Sequence, residues 1–199
     1  MTLAVTDRVL ADAIGPRAGA ALRAKQVALA LLGIAVLAIA AKIKVPMWPV
    51  PINMGTFAVL ALGAAYGPRL GLATILGYML VGALGFDVFA GSSAGKAGLE
   101  YMTAGTGGYL LGYVLATVAL GALAARGWDR SVVRMALAML IGNALIYAFG
   151  VLWLGQLYGW DKPILQWGLT PFLLGDAIKL ALAAVLLPGM WRLVGRARG

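Results

Sequence analysis

Long apolar runs, separated by short segments rich in glycine, proline or charge, recur along almost the whole chain. Lipid offers no hydrogen-bond partners, so a lipid-exposed run must satisfy its backbone groups internally, and a helix does so. The runs do not alternate between apolar and polar residues, as the strands of a membrane β-barrel do. They predict an all-α polytopic membrane protein, a bundle of six transmembrane helices in a single integral membrane domain that covers residues 1–199. The predicted spans are residues 26–41, 53–66, 70–84, 106–125, 132–157 and 171–188.

The composition agrees with burial in lipid and excludes several kinds of chemistry. Hydrophobic residues make up 62% of the chain and charged residues 12%, whereas a soluble domain is about 45–50% apolar and about 25% charged. The chain has no Cys and no His, which excludes thiolate nucleophiles, imidazole acid–base catalysis and zinc sites built on those side chains. Because no nucleophile–base pair is visible either, we predict no enzymatic activity, no metal site and no cofactor.

One segment comes near a nucleotide-binding motif. Gly91-Ser-Ser-Ala-Gly-Lys96-Ala97 is one residue too short for a phosphate-binding P-loop and lacks the Ser or Thr that follows the lysine. We therefore predict that this chain carries no ATPase machinery of its own. We assign the excess of 16 Lys and Arg over 7 Asp and Glu to an anionic membrane surface and not to nucleic acid.

The basic residues are distributed unequally between the predicted loops. Six spans place both termini on one side of the membrane, and the excess of Lys and Arg marks that side as cytoplasmic. Residues 1–25 are then a cytoplasmic tail with a short amphipathic helix, while the proline-rich loop after the first span and the glycine-rich loop of residues 85–105 lie outside. The basic residues on the cytoplasmic side are Arg8, Arg17, Arg23, Lys25, Arg69, Arg126, Arg130, Arg134, Arg192, Arg196 and Arg198, against Lys42, Lys44, Lys96 and Lys162 outside.

The last predicted span carries two charged side chains, Asp176 and Lys179. A charge at the centre of a bilayer costs about 2.5–3.5 kcal/mol on insertion scales, so such residues call for a partner. The two residues are three apart and share one face of a helix. They form either a structural ion pair that neutralises itself against other helices, or a polar clamp on a ligand. The predicted orientation places both below the outer surface, beneath the two outer loops.

Further polar and aromatic residues are candidates for the same pocket. Asn143 and Tyr147 share a face of the fifth span, although an Asn in such a helix also commonly forms an interhelical hydrogen bond. Tyr109 and Trp48 suit either the aromatic belt of a membrane interface or a surface that covers a ligand. Lys96 lies in a glycine-rich loop, where it is either solvated or in contact with an anionic ligand.

A stripe of small residues, Ala20, Ala24 and Ala28, lies at the inner start of the first helix. Small side chains at this spacing allow another helix to approach closely. The stripe serves either packing within the bundle or the docking of a partner membrane protein.

Seven motifs, taken together in their order along the chain, resemble the BioY family. No single motif is specific, but the ordered set extends over most of the chain. The resemblance implies a biotin-binding S component of an energy-coupling factor (ECF) vitamin transporter, a six-helix bundle in the cytoplasmic membrane of a bacterial cell that binds its substrate near the outer surface. The motifs are Val50–Gly55 (VPINMG), Gly67–Gly71 (GPRLG), Gly77–Gly85 (GYMLVGALG), Val88–Gly91 (VFAG), Gly105–Leu110 (GTGGYL), Ile146–Gly150 (IYAFG) and Pro171–Lys179 (PFLLGDAIK).

The resemblance also implies a substrate site. Asp176 and Lys179 match the Gly-Asp-x-x-Lys pattern of the family, so we expect them at the centre of that site. The remaining expected substrate-binding residues are Asn143, Tyr147, Tyr109, Lys96, Trp48 and Asn53.

The resemblance implies partners as well. They are a transmembrane coupling protein and ATP-binding cassette ATPase subunits, and the alanine stripe resembles the surface on which S components dock. The sequence leaves three alternatives open. The chain could import biotin without these partners, it could be an S component for a different vitamin, or it could be a membrane scaffold that transports nothing.

Overall fold

A computed structural model describes residues 9–46, 52–93 and 95–197 of the chain. Within these residues the helices and connecting loops are accompanied by two short antiparallel strands, in which Lys44 pairs with Asn53 and Val45 with Ile52. Short 3₁₀ turns at Trp128–Arg130 and Thr170–Phe172 precede α6 and α8. The elements in chain order are α1 (Leu10–Ala13), α2 (Gly19–Lys42), β1 (Lys44–Val45), β2 (Ile52–Asn53), α3 (Gly55–Ala83), α4 (Gly98–Thr103), α5 (Gly107–Ala124), α6 (Val132–Tyr158), α7 (Ile164–Gly168) and α8 (Leu173–Ala197).

Five helical segments among the described residues are long and apolar enough to cross a membrane. They are Gly19–Lys42, Gly55–Ala83, Gly107–Ala124, Val132–Tyr158 and Ile164–Gly195. Many large apolar side chains on these helices, such as Leu31, Leu140 and Val185, are exposed on the surface of the bundle. Because such side chains are stable only against lipid or another apolar surface, the prediction of an all-helical protein with several membrane-spanning helices is confirmed.

Helix α3 contains the sharpest change of chain direction. Gly67, at φ 76° and ψ 176°, is not helical, and Pro68 follows it. A Cβ atom added at Gly71 would lie 3.6 Å from the Cα atom of Gly63, although residues eight apart in a straight helix are separated by about 12 Å. The two halves of α3 therefore fold back on each other. The turn is closely packed, because a Cβ atom added at Gly121 of α5 would lie 2.4 Å from the nitrogen of Pro68.

Two apolar clusters hold the bundle together. One includes Leu60, Leu120 and Met139 and joins α3 to α5, α6 and α8. The other includes Leu37, Ile75 and Phe89 and joins α2 to α3, α4 and the segment before α4. A cavity lies at the end of the bundle where α2 ends and where α3, α5 and α8 begin.

The N-terminal segment packs against the bundle at its opposite end. Val9 and Leu10 are buried there, and a Cβ atom added at Gly67 would touch Val9 at 3.2 Å. Lys25 Nζ donates hydrogen bonds to the carbonyl oxygens of Ala11 and Ile14, at 2.9 and 2.8 Å. Helix α2 begins at Gly19, ahead of the predicted start of the first span at residue 26.

A buried carboxylate fastens α8 to the α5–α6 connection. Trp191 Nε1 donates to Asp129 Oδ2 at 2.5 Å, and the Arg130 guanidinium lies over the Trp191 ring, 4.4 Å from its centre. Burial raises the pKa of the Asp129 carboxyl above its usual value, because desolvation disfavours the charged form. The contact holds the end of α8 against the α5–α6 connection. Pro188 lies inside α8 before this contact and cannot donate a helical hydrogen bond.

Candidate functional site

The cavity has a volume of about 330 Å³, within the range of about 300–1,000 Å³ that is usual for small-molecule sites. Its walls come from α2, α3, α5, α6 and α8, and its upper rim comes from the segments that connect them. It has a polar end, formed where α3, α6 and α8 meet, and aromatic walls. Such a division suits a ligand that is part polar and part apolar.

Asp176 is the centre of the polar end. Lys179 Nζ donates to Asp176 Oδ1 at 2.8 Å and to Thr56 Oγ1 at 2.8 Å, and Thr56 Oγ1 donates to Asp176 Oδ1 at 3.2 Å. The Tyr147 hydroxyl donates to the other carboxylate oxygen, Oδ2. Asp176 is 4% exposed and Lys179 is 6% exposed. The cluster is a buried ion pair whose charges are both hydrogen-bonded, the arrangement that offsets the cost of taking charges out of water.

The local sequence explains how three helices converge on this carboxylate. Asp176 and Lys179 are three residues apart in α8, so both point to the same side. Thr56 lies in the first turn of α3, and just before it the Asn53 side chain accepts a hydrogen bond from the Gly55 N–H at 2.8 Å. The amino end of a helix carries partial positive charge, which favours the carboxylate placed beside it.

Aromatic side chains line the rest of the cavity. The Tyr109 hydroxyl donates to the carbonyl oxygen of Gly168 at 2.7 Å, and its ring meets that of Tyr147 edge to face at 6.3 Å. On the other wall, Phe89 stacks on Tyr101 at 5.4 Å and meets Tyr78 edge to face at 5.2 Å. The rings supply large apolar surfaces, against which an apolar part of a ligand could pack.

The segment between α3 and α4 covers the cavity beside Phe89. Lys42 Nζ, at the end of α2, contacts Asp87 Oδ1 at 2.5 Å and the carbonyl oxygen of Ser92 at 3.0 Å, and Ser92 Oγ donates to Asp87 at 2.6 Å. We call these three residues the loop clasp. The hydrogen bond from Lys42 holds the pKa of the Asp87 carboxyl below its usual value. The clasp ties the covering segment to α2 and keeps Phe89 against the cavity.

A family model described as the BioY family matches residues 14–196 of the chain. The chain belongs to the BioY family. The membrane spans and the buried polar site are therefore features of a BioY protein.

Relatives of this BioY chain carry names that describe transporters and not enzymes. The chain is 36% identical over 165 residues to the "Probable biotin transporter BioY" of Pyrococcus horikoshii, a match that covers 83% of this chain and 95% of the relative. It is 32% identical over 152 residues to the "Biotin transporter BioY" of Thermotoga maritima, with 76% and 87% covered. A crystal structure described as the S component for biotin from an ECF-type ABC transporter shares the fold, with a TM-score of 0.69, 20% identity, and 88% of this chain and 95% of that chain covered.

The structure brings five of the predicted BioY site residues to the cavity. These lining residues are Asp176, Lys179, Tyr147, Tyr109 and Asn53. All five come from positions where the sequence places a helix end or a polar residue in an apolar helix. Their assignment to the substrate remains a prediction.

The other predicted residues lie elsewhere. Asn143 is buried one turn from Tyr147 but does not line the cavity, and its Oδ1 atom has no hydrogen-bond partner among the described residues. Lys96 is exposed on the loop and is not among the lining residues. Trp48 lies outside the described residues. The alanine stripe is exposed on the surface of α2.

Sequence reasoning did not select several residues that line the cavity. Thr56 bonds both members of the ion pair, and Tyr78, Tyr101, Tyr113 and Phe89 form walls. A signal for Thr56 was present, since it directly follows the motif Val50–Gly55 at the start of a helix. The tyrosines carried no such signal, because a tyrosine in an apolar helix equally fits the membrane interface.

Proposed function

We propose that this chain is the biotin-binding, membrane-embedded S component of an ECF-type vitamin transporter. Family membership and the names of the relatives support a transporter for biotin. The observation that carries the proposal is the buried cluster of Asp176, Lys179, Thr56 and Tyr147 at one end of a cavity of vitamin size.

The chemistry of biotin fits the two parts of this cavity. The ureido ring of biotin has N–H donors and a carbonyl acceptor, and its sulfur-containing ring is apolar. An ionised carboxylate has about four hydrogen-bond sites, of which Lys179, Thr56 and Tyr147 occupy three at Asp176. Asp176 therefore retains an acceptor site for a ureido N–H, and Lys179 can donate to the ureido oxygen. The aromatic walls would cover the apolar ring.

The proposed topology has six spans with both termini in the cytoplasm. The fold-back of α3 at Gly67 and Pro68 supports counting its two halves as separate spans. The excess of Lys and Arg on one side supports the orientation. In this arrangement the cavity opens to the outside of a bacterial cytoplasmic membrane, where an uptake transporter meets its substrate.

The proposed partners are a transmembrane coupling protein and ATP-binding cassette ATPases, which would supply the energy for reorienting the loaded bundle. Helix α2 has few buried residues, and its exposed stripe of Ala20, Ala24 and Ala28 would allow a partner helix to approach closely. Biotin uptake by cells that express this chain with and without ECF subunits tests this part. Equal uptake in both would show that the chain works alone.

A binding panel tests the substrate. The purified chain, in detergent or lipid nanodiscs, is titrated with biotin, thiamine and riboflavin. We expect saturable binding of biotin only, sharply weakened by Asp176→Asn and by Lys179→Ala. The control variant is Lys162→Ala, because Lys162 forms an exposed pair with Asp161 at 2.9 Å and is not among the described residues that line the cavity. Binding of another vitamin in place of biotin would identify an S component of different specificity, and binding of none would favour a scaffold.

A further inference from the structure

A second cavity lies at the opposite end of the bundle from the candidate site, beside the N-terminal segment. It has a volume of about 460 Å³ and is bounded by α1, the start of α2 and the Gly67–Pro68 turn of α3. The proposed biotin site uses none of its residues. The polar side chains that line it are Asp12, Lys25, Gln26, Tyr66 and Arg69.

The charged groups of this second cavity favour an anion. Its described lining residues include two cations, Lys25 and Arg69, and one carboxylate, Asp12. Among the described residues, neither cation forms an ion pair. The side chains of residues 1–8, which the structure does not describe, include one acid and one base and so add no net charge. The cavity therefore carries a net positive charge.

Several hydrogen-bond donors in the second cavity remain available. The Lys25 ammonium has three N–H groups, of which two donate to the carbonyl oxygens of Ala11 and Ile14. Arg69 is exposed at the rim, and its five donors have no partner among the described residues. The Tyr66 hydroxyl also lines the cavity and bonds no other described residue. A phosphate group, with several acceptor oxygens and a negative charge, matches this set of donors.

The second cavity borders the apolar surface of α2. Directly beyond Gln26, the side chains of Val27, Leu31 and Leu32 are exposed on the bundle. Leu32 lies seven residues from Lys25, which is about two helical turns, so both point to the same side of α2. A lipid with its phosphate in the cavity can place an acyl chain along this surface, whereas a free phosphate ion would make no use of it. Basic pockets beside membrane helices are typical sites for anionic headgroups.

We propose that the second cavity binds the phosphate headgroup of an anionic membrane lipid, with Lys25 and Arg69 on the phosphate oxygens and an acyl chain along α2 beside Leu32. The lipid would connect the start of α2 to the turn of α3. A ligand that binds only the folded chain stabilises it, so the lipid should also raise the thermal unfolding midpoint. This site goes beyond the proposed function and does not depend on biotin binding.

Native mass spectrometry of the purified full chain in detergent tests the proposal by measuring the Kd of the first bound lipid. The two probes are phosphatidylglycerol, which is anionic, and phosphatidylcholine, which is neutral overall, with identical acyl chains. Thermal unfolding with phosphatidylglycerol or with inorganic phosphate separates a lipid headgroup from a free ion. The test variants are Arg69→Gln and Lys25→Gln. The control is Arg23→Gln, because Arg23 is an exposed cation of α2 that does not line the cavity.

We expect phosphatidylglycerol to bind the unmodified chain at least about tenfold more tightly than phosphatidylcholine. Each test variant should weaken phosphatidylglycerol about tenfold, because a hydrogen bond between charged groups is lost, and should leave phosphatidylcholine unchanged. Arg23→Gln should alter neither affinity. Arg69→Gln is the decisive variant, since Arg69 makes no hydrogen bond to the described residues and its loss should not disturb the fold.

Four results would count against the proposal. Equal affinity for the two lipids would overturn it. An effect of Arg23→Gln as large as that of Arg69→Gln would replace the site with a diffuse attraction to the basic surface. Unchanged affinity in one test variant would overturn the role of that residue, and in both it would overturn the site. If inorganic phosphate raised the unfolding midpoint as much as phosphatidylglycerol did, and Arg69→Gln abolished this effect, the ligand would be a free phosphate and not a lipid.

Discussion

Replacing Asp176 and Lys179, first singly and then together, separates an ion pair that only stabilises the fold from one that binds a ligand. Either single change, Asp176→Asn or Lys179→Met, leaves one buried charge without its ionic partner. Removing one partner of a buried pair costs about 3–5 kcal/mol of unfolding free energy. The double variant removes both charges and keeps similar volumes, so we expect it to recover most of that loss.

Binding should follow a different pattern. The double variant retains hydrogen-bonding partners in Thr56 and Tyr147 but has lost the charged acceptor and the charged donor. Hydrogen bonds to charged groups contribute about 1.5–3 kcal/mol each. The loss of two such bonds predicts that biotin binds at least about a hundredfold more weakly to the double variant. A stable protein that no longer binds biotin is therefore the expected result.

Thermal unfolding in detergent and equilibrium binding in nanodiscs measure the two quantities on the same preparations. A midpoint loss of roughly 6–20 °C is expected for the single variants, and a much smaller one for the double variant. The exposed pair Lys162 and Asp161 is the control, and the same changes there should alter neither quantity. A double variant that binds biotin within about threefold of the unmodified chain would show that the pair is structural and would refute the ligand assignment.

Three further outcomes follow from the walls and the clasp. Gly150→Ala places a methyl group 2.3 Å from the ring of Tyr109, so the ring must shift from the position in which its hydroxyl bonds Gly168. We expect a loss of about 1–3 kcal/mol in stability and weaker biotin binding, measured as above. Lys42→Gln removes the cation of the loop clasp, and we expect faster biotin dissociation in stopped-flow or filter measurements. The pKa of the Asp87 carboxyl is lowered in the folded protein. The clasp should therefore persist above the usual Asp pKa of about 3.9 and weaken only as the pH falls through the lowered value. Titration of Asp87 should then leave the rate of biotin dissociation unchanged between about pH 5 and pH 8.

Matched controls accompany these variants. Gly189→Ala adds a methyl group where no atom lies within 4 Å, so binding and stability should stay close to those of the unmodified chain. Lys44→Gln removes an exposed neighbouring lysine and should leave dissociation unchanged. If Lys42→Gln behaved like Lys44→Gln, the clasp would not hold the loop over the site. If Gly150→Ala bound biotin normally, Tyr109 would not shape the cavity.

Much of the architecture could be predicted because it depends on local pattern. Apolar runs of sufficient length must be helical in lipid, whatever their neighbours are. Gly67 and Pro68 mark the fold-back of α3 for a similar reason, since a backbone at positive φ followed by proline interrupts a helix at any tertiary position. Asp176 and Lys179 stood out because a charge in an apolar helix is costly wherever it lies.

Other features depended on which helices meet. Thr56 directly follows the motif Val50–Gly55, but that position in the sequence does not show that its hydroxyl bonds both charges. Asn143 and Tyr147 are both polar side chains on the same face of one apolar helix, one turn apart. Only Tyr147 forms a hydrogen bond with Asp176 and lines the cavity. The loop clasp joins Lys42 to Asp87 across a long stretch of sequence. Such pairs form only when separate helices are brought together, so no local pattern predicts them.

The sequence by itself determined the membrane-spanning helices, the break in α3 and the two buried charges, because lipid and backbone sterics act on each segment separately. Only the tertiary structure decided that α3, α6 and α8 converge on Asp176 and that aromatic rings line the cavity. These properties belong to the space between helices. That space depends on how side chains from distant segments pack together, and the sequence of one segment does not determine this packing.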